Sequence, residues 1–251
     1  MWRTTGISVA LPTKSVCQDT HLWRQVDDNT LVVTVADGAG GAPRAEYGSE
    51  IASRSAMDYV VANVIPWDSK DTDFDWPKML TGAMEAAIKA VRAEAVAQSV
   101  PADHFATTLI VAIAMRGLVA AAQLGDGMVF IADREGAIVR LTIPQRGEYS
   151  NETNMITSQC AADKVQIAVW RDYVTGIAVM TDGLLPITTI LPHYKPFSPF
   201  FTNLFAFLRS TEDSQQALNK LKSFLLSERV QSGTGDDLTL VLAVPDEMPA
   251  H

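Results

Sequence analysis

Four short segments of the chain place aspartates beside glycines at the ends of apolar runs. VADGAGG contains Asp37, QLGDGMVF contains Asp126, VMTDGLL contains Asp182, and GTGDDLTLVL contains Asp236 and Asp237. Carboxylates that gather in one place repel each other unless a cation neutralises them, and hard divalent cations prefer oxygen ligands. The four segments together predict a site for more than one divalent cation.

The first segment indicates how such a carboxylate would be presented. Residues 31–35, LVVTV, are of the types that fit a buried strand, and Asp37 then opens a glycine-rich turn. Glycine lets the backbone approach a ligand closely, so a bound ion could contact the Gly38 carbonyl oxygen as well as the Asp37 side chain. Taken alone, an Asp-Gly pair after a strand is also typical of a simple turn.

The other acids have related positions in the chain. Asp126 and Asp182 interrupt or follow apolar runs, whereas Asp236 precedes the last apolar run, residues 238–244. In an antiparallel sheet the start of one strand lies beside the end of its neighbour, so these segments can converge on one rim. Asp19 precedes the first of these strands across a polar, hairpin-like stretch at residues 27–29. It could fold back beside Asp37 or remain a solvated loop carboxylate.

Two pairs of apolar runs predict antiparallel hairpins. TLIVAIAM and LVAAAQLG are separated by two residues, and MVFIAD and AIVRLTI by residues 134–136. Connections this short join antiparallel strands, because a parallel crossover needs about a dozen residues or more. Two further strands are predicted at residues 165–170 and 176–180. A doubly wound nucleotide-binding fold is disfavoured, and the sequence contains neither GxGxxG nor GxxxxGK[ST].

Three helices are predicted from apolar residues that recur at helical spacing. The first spans residues 42 to about 65. The second spans residues 75 to about 98, with Asp75 near its cap and Pro77 in its first turn, and the third follows a capping box at residues 213–216. Residues 145–164 are predicted to form a loop with at most short helical pieces. Residues 184–205, rich in proline and aromatic side chains, could line a substrate cleft or cover a sheet edge.

Composition limits the class of protein and of partner. The 251 residues, 47% of them hydrophobic, fit one large domain. A formal charge of −9 without a basic run argues against a nucleic-acid partner. Cys17 and Cys160 form no CxxC pair, which disfavours a disulfide scaffold and a zinc ribbon. Because no run approaches the ~18 apolar residues of a membrane span, we expect a cytoplasmic protein without a membrane partner.

Taken in order, VADGAGG, ATTLIVA, QLGDGMVFI, VMTDGLL and GDDLTLVL resemble the metal-dependent serine/threonine protein phosphatases of the PPM or PP2C type. The resemblance extends from about residue 6 to residue 244, and the GEYSNETNMIT and PFSPFF segments are similar to a compact bacterial branch of that family. It implies an α+β fold, a four-layer α-β-β-α sandwich of two antiparallel sheets flanked by helices. It also implies one phosphatase domain over residues 1–251.

The resemblance further implies a centre of two Mn²⁺ or Mg²⁺ ions. The matching ligands are Asp37, the Gly38 carbonyl, Asp182 and Asp236. The three aspartates among them are the implied catalytic residues. Asp19 matches an acid that supports the same centre through water coordinated to the metal. Asp126 matches a residue that helps to hold a third ion in bacterial members.

Three positions depart from the family pattern. Lys14 stands where many members have an arginine that binds phosphate; lysine can hold phosphate as a point charge but lacks the bidentate fork. Ala39 replaces a histidine that is proposed as the general acid in some relatives, so protonation of the leaving group would fall to water. Asp237 replaces the asparagine that usually follows the last ligand, which leaves open whether Asp236 alone binds metal.

The implied activity is hydrolysis of phosphoserine and phosphothreonine in proteins, with water activated by the two metal ions as nucleophile. The implied partners are phosphoprotein substrates and a cognate serine/threonine kinase. Two alternatives remain open from the sequence. One is a catalytically weak regulatory or phosphoprotein-binding module that keeps the fold, and the other is an enzyme that acts on small phosphate esters.

Overall fold

The computed structural model describes residues 1–64, 74–145 and 153–246. Its strands are β1 (Trp2–Val9), β2 (Asp19–Gln25), β3 (Leu31–Asp37), β4 (Leu109–Met115), β5 (Leu118–Leu124), β6 (Met128–Asp133), β7 (Ile138–Arg140), β8 (Gln166–Trp170), β9 (Val174–Met180), β10 (Thr189–Ile190), β11 (Lys195–Pro196) and β12 (Leu238–Pro245). Its α-helices are α1 (Ala45–Asn63), α2 (Trp76–Ala97), α3 (Leu185–Thr188), α4 (Ser198–Ser210), α5 (Ser214–Leu225) and α6 (Glu228–Gln231).

Two five-stranded sheets form the centre of the protein. The first has the strand order β2-β3-β4-β5-β8 and the second the order β1-β12-β9-β6-β7, and β10 pairs separately with β11. All neighbouring strands are antiparallel. The two hairpins predicted from short connections, β4-β5 and β6-β7, are confirmed.

Strand β3 shows how the layers are built. Leu31, Val33 and Val35 are buried among residues of the second sheet, whereas Val32 and Ala36 are buried against the helices outside the first sheet. Alternate residues of a strand point to opposite faces, and both faces of β3 are covered, so its buried residues are apolar apart from Thr34. Helices α1 and α2 cover the first sheet, and α4 and α5 cover the second. The predicted four-layer α-β-β-α order is therefore confirmed.

The predicted helix caps are also present. Asp75 caps α2 through its side chain, and Asp213 caps α5 by accepting hydrogen bonds from two backbone N–H groups. Helix α1 begins at Ala45, three residues later than predicted, and residue 65 lies outside the described residues. Within the described ranges no helix is both long enough and apolar enough to cross a membrane.

Strands β1 and β2 lie before residue 31, where the apolar pattern gives no indication of them. Both are edge strands, β1 pairing with β12 and β2 with β3. An edge strand has fewer covered positions, and β2 leaves Trp23 and Arg24 exposed, so its sequence lacks the strong apolar signal of β3. Strand β2 matters for the site because it begins with Asp19.

The segment at residues 184–205 contains structure that the sequence pattern does not predict. Helix α4 begins within it, and Phe201 and Phe205 lie on the buried face of that helix. Arg140 of the edge strand β7 donates hydrogen bonds to the carbonyl oxygens of His193 and Tyr194. The segment thus contacts a sheet edge, as one of the two interpretations expects, and α4 covers the outer face as well.

The other interpretation of this segment, a substrate cleft wall, stays a prediction. Phe197, Pro199 and Phe200 line a cavity of about 570 Å³ on the outer side of the second sheet. The predicted loop at 145–164 is described only outside residues 146–152. There it contains a short 3₁₀ turn, Ala161–Lys164, which agrees with the expected short helical pieces.

Candidate metal centre

The acidic segments meet where the ends of the two sheets lie together. Asp37 is the last residue of β3 in the first sheet, whereas Asp182 follows β9 and Asp236 precedes β12 in the second sheet. One carboxylate oxygen from each of these three residues lies within 4.8 Å of the others. The rim expected from a single antiparallel sheet is instead formed by both sheets.

Two threonines fix the end of β3. The Asp37 backbone N–H donates to Thr108 Oγ1 at 3.0 Å, and the Asp37 carbonyl oxygen accepts from Thr107 Oγ1 at 2.8 Å and from the Thr108 N–H at 2.8 Å. These bonds hold the backbone that carries the Asp37 carboxylate. The threonines belong to the ATTLIVA motif, but their role was not predicted, because it requires the start of β4 to lie beside the end of β3.

Glycines allow the ligand segments to pack closely. A Cβ atom on Gly38 would lie 2.7 Å from the carbonyl oxygens of Gln18 and Ala45, and one on Gly183 would lie 2.2 Å from the carbonyl oxygen of Asp237. Such distances exclude any side chain unless the backbone moves. The glycine in each Asp-Gly pair is therefore required by packing around the cluster, in addition to any role in ion binding.

The Asp19 side chain is buried beside Asp37, so the alternative of a solvated loop carboxylate is wrong. It pairs with Asp37 in the β2-β3 register and is only 6% exposed. Its Oδ2 accepts hydrogen bonds from Thr181 Oγ1 and Thr239 Oγ1, each at 2.8 Å. These bonds link the first sheet to the second. Sequence reasoning missed both threonines, although each belongs to an acidic motif, MTDG or DDLTL.

Asp126 lies in the connection between β5 and β6, near the cluster but outside the three oxygens that lie within 4.8 Å of one another. Its Oδ2 accepts a hydrogen bond from Thr153 Oγ1 at 2.7 Å. Its negative charge contributes to raised pKa values at Asp37 and Asp182. Asp126 is therefore electrostatically part of the same acidic region.

Burial and the charges of acidic neighbours raise the pKa values of Asp19, Asp37 and Asp182. Burial, followed by the charges of its acidic neighbours, raises the pKa of Asp37 well above its usual range. Burial and then the charges of Asp126 and Asp236 raise the pKa of Asp182 to about 7. Burial raises the pKa of Asp19 to about 6, although its two threonine partners oppose that shift. A bound cation would favour the ionised form of each group.

Lys14 contacts the acidic pair before β12. Its Nζ donates to Asp236 Oδ1 at 2.6 Å and lies 3.3 Å from Asp237 Oδ2. Burial lowers the pKa of Lys14, but the hydrogen bonds and charges of the two aspartates more than offset this effect, so its pKa is raised. The residue expected to bind phosphate thus contacts one member of the cluster, Asp236, and the adjacent Asp237.

Asp237 is a buried hydrogen-bond acceptor between two surface loops. Its side chain is 0% exposed. Oδ1 accepts from the Leu11 backbone N–H and Oδ2 from the Gln18 backbone N–H, both at 2.8 Å. Asp237 therefore anchors the loop before β2, which leaves Asp236 as the member of the pair that faces the cluster.

The donors in the cluster suit a hard divalent cation. The buried Oδ1 atoms of Asp19 and Asp182 accept no hydrogen bond from an N–H group or hydroxyl of the described residues. Such orphaned oxygens are costly unless a partner compensates them. Carboxylate oxygens are the ligands that Mg²⁺ and Mn²⁺ prefer, so the residues present fit such ions.

Comparison with known sequences identifies related proteins over most of the chain. A family model described as protein phosphatase 2C matches residues 10–225. Serine/threonine-protein phosphatase 3 of Escherichia coli (strain K12) is 31% identical over 243 residues, which cover 96% of this chain and 94% of that protein.

Solved structures share the fold at lower sequence identity. A bacterial serine phosphatase matches with a TM-score of 0.69 and 13% identity over 100% of both chains. The serine/threonine phosphatase Stp1 from Staphylococcus aureus matches with a TM-score of 0.66 and 14% identity, covering 97% of this chain and 95% of that chain. RsbX in complex with magnesium matches with a TM-score of 0.56 and 14% identity, covering 96% and 94% respectively.

Proposed function

The chain belongs to the protein phosphatase 2C family, and on this premise we propose that it hydrolyses phosphoserine and phosphothreonine in proteins at a binuclear metal centre. The observation that carries the proposal is the cluster of Asp37, Asp182 and Asp236, whose oxygens lie within 4.8 Å of one another. Burial and the neighbouring acidic charges raise the pKa values of Asp37 and Asp182, and a bound cation would favour the ionised form of both groups. The related structure with bound magnesium supports an ion of this class.

We assign two Mn²⁺ or Mg²⁺ ions to this centre. Their ligands are Asp37, the Gly38 carbonyl oxygen, Asp182 and Asp236, with Asp19 supporting the centre and Asp126 available for a third ion. When bound, such ions acidify a water molecule and neutralise the phosphoryl oxygens during in-line displacement. The catalytic residues are accordingly Asp37, Asp182 and Asp236.

The remaining residues position and limit this chemistry. Thr181 and Thr239 occupy Oδ2 of Asp19, so its Oδ1 is the oxygen left for the centre. Lys14 stands at the position to which the family resemblance assigns phosphate binding, and its ammonium group contacts Asp236 Oδ1 at 2.6 Å. Ala39 has no ionisable side chain, so water must protonate the departing serine or threonine oxygen.

The proposal extends to the setting of the enzyme. We expect phosphoprotein substrates phosphorylated by a cognate serine/threonine kinase, and we place the protein in the cytoplasm. We also expect residues 1–251 to act as one phosphatase domain. The negative formal charge supports the absence of a nucleic-acid partner.

Replacement of a single ligand tests the proposal. Asp182→Asn should lower turnover more than about 100-fold while the fold remains intact, because it removes a ligand charge from the centre. The assay is release of phosphate from phosphoserine and phosphothreonine peptides, with manganese and with chelator. Asp58→Asn, on the exposed face of α1, is the matched control and should retain activity. A folded Asp182→Asn protein with near-normal, metal-dependent turnover would contradict the proposal.

The same assay separates the two alternatives. The hydrogen bond from Lys14 to Asp236 gives some support to a catalytically weak module, because it occupies an oxygen of a proposed metal ligand. Such a module would bind phosphopeptides without releasing phosphate. An enzyme for small phosphate esters would cleave those esters and leave phosphopeptides intact.

A further inference from the structure

Lys14 forms an ion pair with a proposed metal ligand. Its Nζ lies 2.6 Å from Asp236 Oδ1, and solvent screens part of this attraction because the two side chains are 26% and 43% exposed. An ammonium group and a divalent cation both draw on the negative charge of the same carboxylate. Lys14 must therefore influence how strongly Asp236 attracts an ion.

The contribution of Lys14 is mainly its charge, because another donor already orients Asp236. The Asp237 backbone N–H donates to the same Asp236 Oδ1 at 2.8 Å. That bond comes from the chain itself and persists whatever side chain stands at position 14. Removal of the ammonium group would leave the Asp236 carboxylate in the same orientation, but its negative charge would no longer be offset by a neighbouring positive charge.

Asp237 explains why a cation is held at this place. Its buried side chain accepts one backbone N–H on each oxygen, from Leu11 and from Gln18. An asparagine has one oxygen and would set its NH₂ group against one of these N–H donors. Two acceptors therefore suit this loop better, but a buried carboxylate needs a compensating charge, which Lys14 supplies at 3.3 Å.

We propose that Lys14 is an internal counter-cation that competes with the divalent ion at Asp236 and thereby sets the metal concentration at which the centre fills. This inference rests on the proposed metal centre. It gives Lys14 a role that differs from direct binding of substrate phosphate.

Calorimetric titration of the chelator-treated, full-length protein with MnCl₂ tests the competition. Lys14→Met should tighten manganese binding at least about tenfold, whereas Lys14→Arg, which keeps the charge, should bind like the wild type. Lys89→Met, on the exposed side of α2, is the matched control and should leave the affinity unchanged. A folded Lys14→Met protein with unchanged or weaker manganese affinity would overturn the proposal.

A second pair of variants keeps the test valid if Lys14→Met does not fold. Asp237→Asn removes a negative charge near the ion and should weaken manganese binding. Adding Lys14→Met to Asp237→Asn should bring the affinity back towards that of the wild type. If the added substitution leaves manganese affinity unchanged or lowers it, charge competition is refuted in that background too.

The titration also separates this inference from the proposed function. If the wild-type protein binds no manganese, both fail. If the wild type binds manganese and Lys14→Met binds it equally well, only the counter-cation role fails. Inhibition by inorganic phosphate at saturating manganese tests the alternative role of Lys14. If phosphate inhibits Lys14→Met less than the wild type while manganese affinity is unchanged, Lys14 binds phosphate and the proposed competition is overturned.

Discussion

Asp19→Asn is expected to stabilise the chelator-treated protein at pH 8, although it removes an acid of the proposed centre. Asp19 is 6% exposed, and burial raises its pKa from the usual 3.8 to about 6. A carboxyl group whose pKa is raised by folding contributes stability at low pH and loses that contribution as pH rises through its folded pKa. The ionised Asp19 side chain therefore burdens the folded state at pH 8 and much less at pH 4.

The size of the effect follows from that shift. Two pKa units correspond to ~3 kcal/mol, which is the largest gain in unfolding free energy that Asp19→Asn should give at pH 8. At pH 4 the same relation gives a gain below ~1 kcal/mol. Asparagine retains an oxygen that can accept from Thr181 and Thr239, so both hydroxyls keep a partner.

Urea denaturation in the presence of chelator measures this difference at pH 4, 6 and 8, with Asp58→Asn as a control for an exposed acid. The advantage of Asp19→Asn should grow with pH. With saturating manganese the order should reverse, because a ligand that binds the native state more tightly stabilises it more and the wild type should bind more tightly. A variant less stable than the wild type at pH 8, or a difference that does not change with pH, would refute this reasoning.

Two further predictions concern packing and protons. Gly183→Ala should lower the unfolding free energy by about 1–3 kcal/mol, because its Cβ would lie 2.2 Å from the Asp237 carbonyl oxygen. Gly41→Ala is the control, because a Cβ there would meet nothing within 4 Å. Equal stability of the two variants would contradict the close packing at Gly183. Manganese binding near pH 6.5 should release protons, because the pKa values of Asp37 and Asp182 are raised. The binding enthalpy should then depend on the ionisation enthalpy of the buffer, and an enthalpy independent of the buffer would contradict it.

The central strands and the acidic cluster could be predicted because their signals are local. The β4 and β5 runs are apolar throughout and joined by two residues, so their pairing follows from chain geometry. Asp37 and Asp182 stand beside glycines at strand ends. The family resemblance then assigned metal-binding roles to them, which remain a proposal.

The supporting contacts could not be predicted because they depend on how the layers pack. Thr181 and Thr239 look like ordinary strand residues, and only the approach of the two sheets brings their hydroxyls to Asp19. The Lys14 contact with Asp236 joins residues 222 positions apart. This contact requires the loop before β2 to lie against Asp237, which holds it through the Leu11 and Gln18 N–H groups. No spacing in the sequence indicates that the two segments meet.

The edge strands and α4 were missed for a different reason. Strand β1 mixes polar and apolar residues at an edge, where only part of the strand is covered. Helix α4 follows several prolines, which indicate an irregular segment, yet Pro199 stands in the first turn, where a helix tolerates it. Local residue types were weaker indicators there than burial against the second sheet.

Anomalous diffraction from crystals grown with MnCl₂ tests the metal centre most directly. We expect two manganese peaks in contact with the carboxylates of Asp37, Asp182 and Asp236. A well-ordered map at saturating manganese without a peak among these three residues, or with peaks only at exposed acids such as Asp58, would contradict it.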